Sequence, residues 1–157
     1  MAAPISRILC PIDFSSTSHL ALDYAARLSL SLGAGLIIGH AFETPFPLAS
    51  QDQPADSSIA QQLREIPVAL PEAAVTRVLH AGPPGAVICW LAQRHECDLI
   101  VIGTHGRTGL KHLLLGSVAE HVMRHARCPV LTVRAGAADE PELAEPVVLP
   151  VKAPRLM

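Results

Sequence analysis

An α/β fold, a parallel sheet covered on both faces by helices, is what this sequence predicts, and three observations carry that reading. Short apolar runs alternate five times with segments of helical periodicity. Half of the residues are hydrophobic, 50%, yet aromatics make up only 3%, an aliphatic balance that suits strands buried on both faces. The length, 157 residues, is that of one domain with room for a good core.

Residues 6–12, Ser-Arg-Ile-Leu-Cys-Pro-Ile, read as the first strand, ending near Pro11 with Asp13 just beyond. Ser15 or Ser16 can cap the helix that follows. Its stripe is Ala21, Ala25, Leu28 and Leu32, and Gly33 and Gly35 stop it. Leu36 to Ala41 is the second strand. Residues 43–57, with Pro45, Pro47 and Pro54, read as a loop, and Ser57 to Ile66 as a short helix confined by Pro67 and Pro71. Ala74 to His80 alternates as a strand. Gly82-Pro83-Pro84-Gly85 is a turn with proline placed to open a helix; that helix turns Val87, Ile88, Leu91 and Ala92 inward and ends near His95. Leu99 to Ile102 is the fourth strand, Ser117 to Arg127 a helix facing inward through Val118, Val122 and Ala126, and Pro129 to Val133 the fifth strand. Residues 135–157, with four prolines and four acids, read as a poorly ordered extension.

The net charge of −2 offers no electrostatic case for nucleic acid or an anionic membrane. No run approaches a membrane span, and residues 1–12, broken by Pro4 and Pro11, do not read as a signal peptide. These features point to the cytoplasm. The four cysteines, Cys10, Cys89, Cys97 and Cys128, show no C-x-x-C spacing and read as small core residues. His121 and His125 stand i, i+4 on a polar helix face, and Trp90 reads as a core or interface aromatic.

The chemistry concentrates after the fourth strand. Gly103-Thr104-His105-Gly106 leads through Arg107 and Lys111 to Gly116-Ser117, where a helix starts. Glycines let backbone N–H groups face an anion. A helix N-terminus adds unpaired donors and partial positive charge. Gly-Lys-Ser/Thr is absent, and no strand leads into GxGxxG. In parallel sheets ligands bind beyond the carboxyl ends of the strands where the strand order reverses. If the first and fourth strands are neighbours there, Asp13 and the glycine loop open onto one crevice. Asp13 can equally cap the first helix, and the glycines can serve packing alone.

Three stretches resemble the universal stress protein family: Ile8 to Ser15, Asp98 to Leu110, and Leu115 to Arg134. The resemblance covers roughly residues 5–134. It implies a single-domain, Rossmann-like open sheet of five parallel strands in order 3-2-1-4-5, with a domain over residues 1–134 and the extension beyond it. It also implies a homodimer joined through residues 129–134, where the tail can reach across the partner. The spacing Gly103-x2-Gly106-x9-Gly116-Ser117 matches the family's nucleotide-binding branch. By matching positions, Gly103, Gly106, Gly116 and Ser117 would hold the phosphates, with Thr104, Arg107 and Val118 also in the nucleotide-binding set. Pro11 and Asp13 would line the adenosine side, and Ala41 would offer its backbone to adenine. ATP, AMP or ADP is the implied ligand, with any Mg²⁺ held through the phosphates. Ala119 departs from the pattern of members that place a hydroxyl there. No group is placed to orient a nucleophile, so the resemblance implies a nucleotide-responsive stress module with protein partners, or at most a slow ATPase. A nucleotide-free interaction protein is the alternative.

Overall fold

A computed structural model describes residues 4–43, 57–105 and 115–136. The elements are β1 (Arg7–Pro11), α1 (Ser16–Leu32), β2 (Gly35–Phe42), α2 (Ser57–Glu65), a 3-10 turn (Glu72–Ala74), β3 (Val75–Ala81), α3 (Pro84–Arg94), β4 (Leu99–Gly103), α4 (Ser117–His125) and β5 (Val130–Val133). The strands form one all-parallel sheet in the order β3-β2-β1-β4-β5. The expected fold and strand order are therefore observed.

Local chemistry sets the boundaries. Ser15 caps α1 by accepting the Ser18 N–H at 3.2 Å. Gly33, at φ 66°, closes the helix in the left-handed region and returns its N–H to the Ser29 carbonyl. Gly35 is not a helix stop; it is the first residue of β2. Pro84 opens α3 at a position where no backbone donor is needed. α4 ends at His125, short of Arg127, because Ala126 has already turned to extended backbone. Arg77 on β3 clasps Glu72 with two bonds of 2.7 and 3.2 Å and donates to the Ile66 carbonyl at 3.1 Å, tying the segment after α2 to the edge strand.

Strand β1 is the centre of the core, with Ile8, Leu9 and Cys10 fully buried. Alternation along the sheet divides its side chains between two layers. Ile8, Cys10, Ile38 and Val101 pack with Ala21, Leu22 and Ala25 of α1 and Leu63 of α2. Leu9, Ile37 and Ile100 pack with Val87, Ile88 and Leu91 of α3 and Val122 of α4. Cys10 and Cys97 are buried, Cys89 and Cys128 partly so, and all four are free thiols. Burial pushes each thiol up, Cys97 to about 12. Trp90 departs from the core expectation: it is half-exposed on α3, its ring centroid 4.6 Å from that of His80. Among the described residues no helix is long and apolar enough to cross a membrane.

The amino ends of β1 and β4 share a carboxylate. Asp98 Oδ2 accepts the Ser6 N–H at 2.8 Å, the Ser6 hydroxyl at 2.9 Å and the Arg7 N–H at 3.0 Å. These donors hold its carboxyl below the usual aspartate range. A depressed folded-state value stabilises the fold above the unfolded-state value and is lost as pH falls through the folded one. Asp98→Asn should therefore flatten the acid side of the stability profile, where pH falls through and below the ordinary aspartate range, in urea titrations; superimposable profiles would refute this.

Helices α3 and α4 meet at Gly85. A Cβ there would lie 2.7 Å from two atoms of the His121 ring and 2.9 Å from its Cβ. Gly85→Ala should cost about 1–3 kcal/mol in chemical denaturation. The cost should shrink in a His121→Ala background.

Candidate functional site

Beyond Pro11 the chain makes a sharp, well-bonded turn. The Ile12 N–H donates to the Gly39 carbonyl at 2.8 Å, the last bond that ties β1 to β2. Asp13 Oδ1 accepts the Ser15 N–H at 3.0 Å, and the Asp13 N–H reaches Ser18 Oγ at 3.4 Å. Phe14 takes the left-handed conformation, φ 63°, between them. Asp13 thus braces the approach to α1 while Ser15 supplies the cap. Pro11 is buried; Asp13 is half-buried at the carboxyl end of the sheet.

Ala41 lies in β2, past the end of β1. The β1–β2 register stops at Pro11↔Gly39, whereas β2–β3 pairing continues to Phe42↔Ala81. In a parallel ladder successive residues direct their backbone groups to alternate neighbours. The Gly39 carbonyl faces β1, so the Ala41 backbone faces the same side, where β1 has already ended. The Ala41 backbone therefore has no β1 residue in register opposite it.

Across the strand reversal, β1 and β4 pair through Ile8↔Leu99 and Leu9↔Ile100. Gly103 is the last residue of β4 rather than the first of the loop. A Cβ on it would meet Thr17 Cγ2 at 2.9 Å and the Thr17 backbone at 3.1 Å. Its missing side chain admits the first turn of α1, a packing reason for the glycine. Thr104 is 2% exposed. Its N–H donates to the Val133 carbonyl at 2.9 Å, its carbonyl accepts the Gly116 N–H at 2.6 Å, and its hydroxyl lies 2.9 Å from His105 Nδ1. Both backbone groups of Thr104 are thus used within the fold, and it serves as an internal strut.

Gly116 is the N-cap residue of α4, and Ser117, exposed, is its first helical residue. No side chain caps the start of α4; a helix start of this kind offers backbone donors and partial positive charge to an anion. Val118 is half-buried against the α3 layer, and Ala119, 2% exposed, belongs to that core. The methyl group of Ala119 therefore faces protein, not the crevice, and a hydroxyl there would also point inward. Gly106 and Arg107 lie outside the described residues, as do most of the loop at 43–57 and the tail beyond Gly136.

The structure thus brings Pro11, Asp13, Ala41, Gly103, Gly116 and Ser117 to one end of the sheet. A hollow of about 380 Å³ lined by Arg7, Thr76, Arg94 and His95 lies at the opposite, amino end, where Arg7 is committed to Glu96 at 3.0 Å. His121 and His125 stack with ring centroids 4.2 Å apart, and His125 Nδ1 bonds the His121 carbonyl at 2.8 Å. No group of three metal-ligating side chains occurs among the described residues. Sequence reasoning missed His40, which is buried and bonds the Ile12 carbonyl from β2 at 2.7 Å. A polar residue inside an apolar strand was the available signal.

Comparison with known proteins bears on the family and the fold. Universal stress protein Rv2005c of Mycobacterium tuberculosis is 33% identical over 134 residues, which covers 81% of this chain but 45% of that protein. The chain thus spans less than half the length of this relative. UspA from Lactobacillus plantarum superposes with a TM-score of 0.67 at 24% identity, covering 85% of this chain and all of that one. A universal stress protein solved in complex with cAMP superposes with a TM-score of 0.65 at 25% identity, covering 83% of this chain and 98% of that one. The model of the universal stress protein family matches residues 4–134, and the chain belongs to that family.

Proposed function

We propose that this chain binds an adenine nucleotide across the carboxyl ends of β2, β1 and β4. The base lies in the crevice beside Ala41, the ribose near Pro11 and Asp13, and the phosphates over the start of α4 at Gly116 and Ser117. Gly106 and Arg107 complete the phosphate contacts. The observation that carries the reading is the early end of the β1–β2 ladder, which leaves the Ala41 backbone without a β1 partner in register, at the same end of the sheet as the Asp13 carboxylate and the start of α4. The solved relative that holds cAMP supports the adenine class. ATP is the proposed ligand, with Mg²⁺ held mainly by its phosphates. The output is a conformation read by partner proteins.

Denaturing the purified protein and chromatographing the supernatant tests the reading, followed by calorimetry with ATP and AMP. Bound nucleotide, or binding of added nucleotide, is expected. Asp13→Ala should weaken binding about tenfold or more, in line with the loss of a charged contact. A protein that neither carries nor takes up nucleotide would overturn the proposal.

We also propose a homodimer built by antiparallel pairing of β5 across a two-fold axis. β5 is an edge strand of four residues paired on one side with β4. It presents Leu131, 40% exposed, and open apolar edges are normally covered. Light scattering at micromolar concentration should give a dimer mass, and Leu131→Lys should give a monomer. A monomeric wild-type protein would refute the interface.

A further inference from the structure

His40 sits where the β1–β2 ladder stops. If β1 continued past Pro11, the next rung of the ladder would join the Ile12 carbonyl to the Ala41 N–H. That carbonyl is instead taken by His40 Nδ1 at 2.7 Å. Because a carbonyl only accepts, Nδ1 carries the proton in this bond. The bond is shielded from water, since His40 is 5% exposed. The ring also packs on Phe14 with centroids 4.8 Å apart, against the left-handed residue that turns the chain from Asp13 toward the Ser15 cap. One side chain therefore meets both halves of the turn that walls the crevice.

The geometry points to His40 as the positioning residue of the adenine side: by holding the Ile12 carbonyl out of the ladder, it keeps the Ala41 N–H directed into the crevice as a donor to the base. The inference rests on the nucleotide reading above for the identity of the base. Its structural half, the open ladder, stands without it. Removing the Nδ1 donor leaves a buried carbonyl in need of a partner. The Ala41 N–H is the ladder donor nearest in register. β1 and β2 then pair one step further and the crevice narrows where the base would enter.

Three variants separate this role from simple packing. His40→Leu removes the donor. His40→Asn places an amide N–H near the position of Nδ1, and His40→Gln places it one bond farther out. Each is compared with wild type by cooperative thermal unfolding, by hydrogen exchange of the Ala41 amide without ligand, and by calorimetry with ATP and AMP. In His40→Leu and His40→Gln, Ala41 exchange should slow at least tenfold and nucleotide affinity should fall about tenfold, while His40→Asn returns both toward wild type. If His40→Leu does not fold, the Asn and Gln pair decides the question alone. Unchanged Ala41 exchange in His40→Leu and His40→Gln, or Asn behaving like Gln in both measurements, overturns the role of His40. Wild-type protein that binds neither nucleotide overturns the adenine assignment, and the exchange data then still decide whether His40 holds the ladder open.

Discussion

The whole arrangement depends on β1 being buried on both faces and flanked on both edges. Its three innermost residues contact no solvent, so the strand can neither slip nor rotate without exposing one apolar set and burying a mismatch. From β1 the chain moves outward through α1 to β2 and β3 on one side. It then returns over the opposite face through α3 to β4 and β5. Right-handed crossovers in opposite directions put α1 and α2 on one face and α3 and α4 on the other. The strand reversal beside β1 is thus forced by topology, and the crevice at its carboxyl end comes with it. The Asp98 carboxylate at the amino end closes the same strand pair from below.

Glycine at a motif position carries two loads here. Gly103 stands in the signature associated with phosphate binding, and its lack of a Cβ is also what lets Thr17 approach β4. That approach brings the first turn of α1 close to the end of β4, on the opposite face from α4.

Most of the fold was legible in the sequence because it is written locally. Apolar runs bounded by Gly33, Pro71, Gly82 and Pro129 mark the strands, and the stripe from Ala21 to Leu28 marks α1. The errors were local as well: Gly35 was read as a helix stop and Gly103 as a loop residue although both are strand residues, since periodicity does not show whether a glycine stands inside an element or beside it. The positions of Asp13 and Ala41 at one end of the sheet were legible through the topology. What was not legible were interactions whose partners are far apart in the chain. The His40 bond to Ile12 spans 28 residues, the Thr17 contact with Gly103 depends on how α1 lies across the sheet, and the inward face of Ala119 depends on the rotation of α4. Trp90, read as a core or interface aromatic, is half-exposed and packs on His80 of the edge strand β3.

The strut at Thr104 has a mechanical meaning. Its N–H holds the carbonyl of Val133, the last residue of β5, and its own carbonyl holds the N–H of Gly116, where α4 begins. A single residue therefore spans the distance from the helix start to the outer strand, with one rigid peptide bond on either side and no side-chain rotamer in the path. Such a link has little slack. The beginning of α4 and the rim of the sheet cannot be repositioned independently, so a displacement at one is felt at the other through a linkage of two hydrogen bonds.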